Sequence, residues 1–182
     1  SAIRDDNPVL FFADIGLLGL PFAERDGGFD GSLADVMGVM RLLGRALVLE
    51  PWFDCVVIAG RLLAASTDAA KKAEWLAALI GGEWLPGLAH LERGDRGRGA
   101  VRGTTVQPCD GGWRLDGAKI LVPVAESLDL LLVTARDPQG ALGIFAVPRK
   151  ARGVSIRGYR SVDGHRVGDV RFDGVVLAAD AR

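Results

Sequence analysis

The stretch Gly112-Trp-Arg-Leu-Asp-Gly-Ala-Lys119 decides how the second half of this 182-residue chain folds. Apolar and polar side chains alternate along it, which is typical of half-buried β-strands. Asp116-Gly117 is a turn signal, so the pattern predicts two short strands, residues 113–115 and 119–122, joined by a tight turn.

Five more strands are predicted around this hairpin, each bounded by Gly, Asp or Pro. They comprise residues 104–107, 130–135, 142–147, 154–157 and 167–172. Because no helical pattern separates them, the spacing favours a mainly antiparallel β-barrel or sandwich.

The residues before Pro86 have helical periodicity instead. One apolar stripe at helical spacing comprises Leu33, Val36, Met37, Met40, Leu43 and Leu47. Ser32 and Asp35 form a capping-box pattern in front of it, with Asp in place of the usual Glu. The sequence therefore predicts an α+β chain, with an all-helical domain at residues 1–83 followed by a β-barrel or sandwich domain at residues 84–182.

Two further helices are predicted in the first half. Pro51 suits the first turn of one, which continues through Leu63. Ser66 or Thr67 is the predicted cap of the next, and Gly81-Gly82 is the predicted end.

The composition excludes several classes of protein. The net charge is −1, so no overall field favours nucleic acid or an anionic membrane. The longest apolar stretch, residues 9–23, is too short and interrupted to span a bilayer. Cys55 and Cys109 lack metal-site spacing and suit free thiols, so we expect no metal site. With no signal-peptide pattern at the N-terminus, we expect a cytoplasmic protein.

Five segments resemble the acyl-CoA dehydrogenase family, and they occur in the family's order. They are residues 19–28, 27–35, 75–84, 112–119 and 163–175. Each is weak alone, since Gly-Gly and Asp-Gly pairs are common, but together they span nearly the whole chain.

The resemblance implies a flavoprotein of lipid metabolism, as in fatty acid β-oxidation. Family members oxidise an acyl-CoA thioester between its α and β carbons, with a carboxylate as base and FAD as hydride acceptor. The base comes from a C-terminal helical bundle, which is expected to be absent because the chain ends at Arg182. No residue here is assigned as catalytic. The implied partners are an electron-accepting flavoprotein and acyl-CoA dehydrogenase-like subunits, in a homo- or hetero-oligomer.

Two motifs that contact flavin in the family are altered here. In the first, Glu92 and Gly94 match, whereas Leu91 replaces a hydroxyl residue. His90 precedes Leu91 and could face the flavin or the acyl chain, or be an ordinary hydrogen-bonded histidine. Arginines after Glu92 could meet phosphates or be solvated.

In the second motif, Leu121 replaces an aromatic residue, and Pro123 replaces a hydroxyl residue and lacks a backbone N–H. We therefore expect FAD to be bound weakly or not at all. Two hypotheses follow: an FAD-dependent acyl-CoA dehydrogenase, or a non-catalytic, flavin-deficient partner subunit of a heteromeric one.

Overall fold

The computed structural model describes residues 8–65, 68–94, 101 and 103–182. The chain divides into two compact units, Ser1–Pro86 and Gly87–Arg182. The described part of the first unit is helical, and the second is built on a β-sheet. The chain is therefore mixed α and β, as its periodicity predicts.

The first unit contains α-helices and a π-helical segment. They are α1 (Pro8–Asp14), α2 (Leu33–Arg45), the π-helix (Trp52–Gly60), α3 (Arg61–Ala64) and α4 (Ala69–Ile80). The core includes Trp52, whose indole Nε1 donates to the Leu17 carbonyl at 3.0 Å. The sequence predicts an ordinary helix after Pro51, because apolar periodicity carries no signal for the wider π turn.

Side chains cap two of these helices. At α2 the Ser32 N–H donates to the Asp35 carboxylate at 2.8 Å and the Asp35 N–H donates back to the Ser32 hydroxyl, which confirms the capping box. The Ser32 hydroxyl, followed by the Ser32 backbone N–H, donates to the Asp35 carboxylate and so lowers the pKa of Asp35. At α4 the cap is Asp68, which accepts from the Lys71 N–H at 3.0 Å. The prediction of Ser66 or Thr67, which lie outside the described residues, is wrong because Asp68 is an equally good cap and lies next to the helix.

The apolar stripe of α2 is mostly exposed. Within α2 only Val36 is buried, whereas Leu33 is 66% and Met37 65% exposed. The predicted stripe is too long, because α2 ends at Arg45 and Leu47 lies beyond it with φ +53°. Since contiguous exposed apolar side chains often mark interaction sites, α2 is a candidate interaction surface.

The second unit is one seven-stranded sheet. Its strands are β1 (Pro86–Ala89), β2 (Thr105–Cys109), β3 (Gly112–Pro123), β4 (Leu130–Arg136), β5 (Leu142–Pro148), β6 (Val154–Arg160) and β7 (Arg166–Ala178). The β2–β3, β3–β7, β4–β5 and β6–β7 pairs are antiparallel, and β2 meets β4 in parallel at Thr105 and Arg136. The four-residue β1 is too short for its pattern to predict.

The predicted turn at Asp116-Gly117 is wrong, because β3 continues through it. Gly117 has φ +142°, and a Cβ there would lie 2.6 Å from the Thr104 Cα. Asp116 accepts from the Gly174 N–H of β7 at 2.7 Å. The Asp-Gly pair therefore forms an irregularity inside a long strand instead of ending one.

The two cysteines differ in accessibility. Cys55 is 1% exposed, and burial raises the pKa of its thiol, whereas Cys109 at the end of β2 is exposed. Because the thiolate is the nucleophile, we expect iodoacetamide to alkylate Cys109 alone in the folded chain and both thiols in urea. Mass spectrometry of the intact chain and its peptides measures this. Rapid labelling of Cys55 without denaturant would contradict the packing.

Across residues 8–65, 68–94, 101 and 103–182, no helix has the length and apolar character needed to cross a membrane.

Candidate functional site

A buried ion pair joins the two sequence motifs. Lys119 of β3 is fully buried, and its Nζ lies 2.9 Å from Oε1 of Glu92, which follows β1. Glu92 also accepts from the N–H groups of Gly103 at 2.7 Å and Thr104 at 3.0 Å. Both carboxylate oxygens are thus engaged inside the protein.

Lys119 also donates hydrogen bonds to a backbone carbonyl and to a hydroxyl group. Its Nζ donates to the His90 carbonyl at 3.1 Å and to the Thr134 hydroxyl of β4 at 3.2 Å. The His90 Nδ1 lies 3.1 Å from the same hydroxyl, so this imidazole nitrogen has a protein partner. We call Glu92, Lys119 and Thr134 the buried clamp, since they tie the segment after β1 to β3 and β4.

Leu91 and Leu121 lie next to the clamp, at the end of the sheet where β3 finishes. The Ile120 N–H donates to the Leu91 carbonyl at 2.9 Å, and the two leucine side chains are 37% and 44% exposed. Between Lys119 and Val122, β3 has one residue more than the facing part of β7, which is a β-bulge.

Leu121 lies within this bulge and has φ +53°. A left-handed conformation is costly for a bulky residue and is often associated with functional sites. Pro123 follows, half-buried and paired with Val167 of β7. We call Leu91, Leu121 and Pro123 the candidate edge.

The candidate edge is suited to the apolar face of a flavin ring but not to the polar edge of that ring. Exposed leucine side chains can pack on a planar apolar ring face. None of its three side chains carries a hydrogen-bond donor, and Pro123 has no N–H. The neighbouring Glu92 carboxylate and the Nδ1 of His90 are engaged in the clamp. Leu91, Leu121 and Pro123 therefore fit the face of a flavin ring and offer the polar edge of that ring no side-chain donor.

A cleft of about 850 Å³ lies beside the edge. Its lining includes Arg93, Ile120, Arg157, Asp169 and Arg171. Gly94, at φ +86°, follows in the turn after Arg93 and has open space where a Cβ would be. Of the arginines that could meet phosphates, Arg93 pairs with Asp169 at 3.5 Å; the others, at 96, 98 and 102, lie outside the described residues.

The hydroxyl of Tyr159 is a second polar group near the candidate edge, and the sequence patterns do not identify it. The Tyr159 hydroxyl of β6 donates to Asp169 at 2.8 Å, and Asp169 is the partner of Arg93. Partial burial, followed by the hydrogen bond to Asp169, raises the pKa of Tyr159. Tyr159 and Asp169 lie on two different strands, so only the β6–β7 register could have indicated their contact. In the described part of the chain, no group of His, Cys, Asp and Glu side chains could hold a metal ion.

Comparison with known proteins points to one family. No family profile matches the chain. The acyl-CoA dehydrogenase FadE27 of Mycobacterium tuberculosis is 26% identical over 169 residues, which cover 93% of this chain and 44% of that protein.

Solved structures show the same fold. A structure of the ChsE4–ChsE5 complex from Mycobacterium tuberculosis matches with a TM-score of 0.84 and 23% identity, covering 96% of this chain and 46% of that one. A glutaryl-CoA dehydrogenase from Mycobacterium smegmatis in complex with FADH2 matches with a TM-score of 0.81, 22% identity and the same coverage. This chain spans less than half the length of these relatives. In sequence and in fold, it resembles the acyl-CoA dehydrogenases over more than nine-tenths of its own length.

Proposed function

We propose that this chain is part of an acyl-CoA dehydrogenase-type flavoprotein that oxidises an acyl-CoA thioester between its α and β carbons. FAD, when bound, supplies the hydride acceptor for this reaction. The observation that carries the proposal is the buried clamp, in which Glu92 and Lys119 join the two segments that resemble the family's flavin-contacting motifs.

The clamp gives this chain a positioning role. Leu91 and Leu121 would pack on the ring face, and the buried ion pair would hold them in a fixed relation, since preorganised contacts cost less entropy on binding. Glu92 is not a candidate for the base, because its carboxylate is neutralised by Lys119 and accepts two backbone N–H bonds.

Activity of the purified protein tests this function. In the presence of an acyl-CoA, FAD and an acyl-CoA dehydrogenase-type partner subunit, we expect reduction of an electron-accepting dye that depends on the acyl-CoA. Omitting FAD or the acyl-CoA is the control. Dye reduction that is equally fast without this chain would overturn the proposal.

A second candidate is a partner subunit that does not bind flavin productively. The absence of side-chain donors at Leu91, Leu121 and Pro123 favours it. The ChsE4–ChsE5 complex shows that proteins of this fold occur as heteromers.

The two candidate functions predict different changes in FAD affinity when side-chain hydrogen-bond donors are introduced at the candidate edge. If missing donors limit flavin binding, then Leu91→Thr with Pro123→Thr should raise FAD affinity by about 1–3 kcal/mol, from two neutral hydrogen bonds. Titration of FAD into the wild type, both single variants and the double variant measures this, since neighbouring gains need not add. Pro148→Thr, at the exposed end of β5, is the control. No gain in any variant would favour the partner subunit.

The exposed face of α2 supports assembly with another subunit. We propose that this face meets a helical surface of an acyl-CoA dehydrogenase-type subunit, or of a second copy when none is present. Leu33→Glu with Met37→Glu should therefore reduce self-association of the chain, measured by sedimentation velocity over a range of concentrations. Val176→Glu, an exposed apolar position on β7, is the control. A monomeric wild type would contradict this proposal.

A further inference from the structure

Strand β5 forms an edge of the sheet in the second unit. In the part of the chain that the structure describes, β5 pairs with β4 and with no other strand. Its side chains alternate, since Phe145 and Val147 are buried, whereas Leu142 is 51% and Ile144 37% exposed. One long side of this strand is therefore open, with apolar side chains beside it.

Hydrogen bonds at the two ends of the β4–β5 ladder show which backbone groups are open. The Arg149 N–H donates to the Asp129 carbonyl at 3.0 Å, and the Asp137 N–H donates to the Ala141 carbonyl at 3.0 Å. Facing residues of an antiparallel pair alternate between hydrogen-bonded and non-hydrogen-bonded positions. The odd-numbered residues of β5 therefore bond to β4, and the even-numbered ones direct their N–H and carbonyl groups outward. With no other backbone partner among the described residues, these open positions are Leu142, Ile144 and Ala146.

This edge lacks the features that usually prevent a strand from pairing with another chain. Such features include charged side chains and a proline within the strand. The edge strand β6 carries Arg157 and Arg160. In contrast, β5 has no charged residue, and its only proline, Pro148, is its last residue. Of these two edges, β5 is thus the one that can accept a further strand.

The open edge of β5 is complementary to itself. When two copies pair antiparallel about a two-fold axis at Ile144, the two Ile144 residues face each other and Leu142 of each copy faces Ala146 of the other. All three outward N–H groups of each copy then meet outward carbonyls. Pro148 lies beyond the paired residues, so its missing N–H costs no bond. The exposed Leu142 and Ile144 side chains of both copies lie on one face, where cross-strand neighbours pack together.

We propose that β5 is a docking edge for a second copy of this chain, through antiparallel β5–β5 pairing centred on Ile144. The two sheets would join into one continuous sheet. This surface consists of different residues from the exposed face of α2 and from the candidate edge, and it does not depend on flavin. The paired stretch is short and buries well below the roughly 1,200 Å² of a stable interface, so the dimer is weak.

Amide exchange at two protein concentrations, followed by NMR, tests the pairing residue by residue. The variant Leu33→Glu with Met37→Glu is the background, so that association through α2 does not contribute. Between dilute and millimolar solution, exchange at the three outward amides should slow by at least about threefold as the paired fraction rises. Exchange at the odd-numbered residues of β5, which bond to β4 at either concentration, should stay the same.

Two variants in the same background test the contact by sedimentation equilibrium. Ile144→Lys should weaken the dimer by about five- to tenfold, because like charges would lie directly opposite each other at the axis. Ala146→Pro removes an outward N–H and leaves the β4 ladder intact. It should weaken the dimer by a similar factor, which an apolar contact without strand pairing would not require. Val176→Lys, at an exposed apolar position where β7 pairs with β3, is the matched control and should leave the dimer unchanged.

The register is tested with a mixture of isotope-labelled and unlabelled chains. Non-hydrogen-bonded pairs bring Cα atoms within about 4.5 Å, so a filtered NOE should connect the Phe145 Hα of one copy to a Gly143 Hα of the other. Unchanged exchange at the outward amides would overturn the proposal, as would a dimer of equal strength in Ile144→Lys. Self-association without these signals would equally overturn it, because the copies would then meet at another surface.

Discussion

Replacing Lys119 with methionine is expected to lower the free energy of unfolding by about 3–5 kcal/mol, because one partner of a buried ion pair is removed. The Glu92 carboxylate would remain buried without its lysine, while the N–H groups of Gly103 and Thr104 still donate to it. The His90 carbonyl and Thr134 hydroxyl would each lose a donor. Urea denaturation followed by tryptophan fluorescence measures the change.

Two further variants isolate the ion pair. Lys150→Met removes an exposed lysine and should change stability by less than about 0.5 kcal/mol. Adding Glu92→Gln to Lys119→Met should recover part of the loss, since no charge is then left buried. A loss below about 1 kcal/mol for Lys119→Met would show that the clamp does not hold the two motifs together.

Gly117→Ala is expected to cost about 2–6 kcal/mol, the sum of a steric clash and backbone strain. Its Cβ would lie 2.6 Å from the Thr104 Cα and 2.9 Å from the Gly103 carbonyl oxygen. These atoms belong to the segment whose N–H groups bind Glu92, so the clamp should be disturbed as well. Thermal and urea unfolding of the variant measure the loss.

Gly111→Ala is the matched control for this prediction. Gly111 also has a positive φ, +77°, but no atom lies within 4 Å of a Cβ added there. Only the left-handed backbone cost of about 1–2 kcal/mol should remain. Equal losses in the two variants would mean that close packing against Thr104 contributes nothing.

Local patterns predict most elements of this fold but not how they connect. The Ser32–Asp35 capping box and most strands follow from periodicity and capping rules. The continuity of β3 through Asp116-Gly117 does not, because the same dipeptide forms hairpin turns elsewhere. Neighbouring strands decide between these outcomes: Asp116 binds the Gly174 N–H of β7, and Gly117 packs on Thr104.

The candidate site is predictable only in its individual residues. The resemblance identifies Glu92, Leu91 and Leu121 as positions of interest, yet it does not indicate that Glu92 pairs with Lys119 across 27 residues of sequence. The hydrogen bond between Tyr159 and Asp169 needs the register of β6 against β7. Such long-range pairings depend on which strands are neighbours in the sheet, and the periodicity of a single sequence does not specify this.

Equilibrium titration of FAD into the wild-type chain and into Leu121→Glu tests most directly whether the candidate edge is a flavin site. Leu121 is exposed there with the clamp beside it, and a charge at this position would have to be desolvated against an apolar ring. We predict saturable, weak binding to the wild type and at least about tenfold weaker binding to the variant, or 1.4 kcal/mol. Equal FAD affinity of the two proteins would contradict the assignment of this edge.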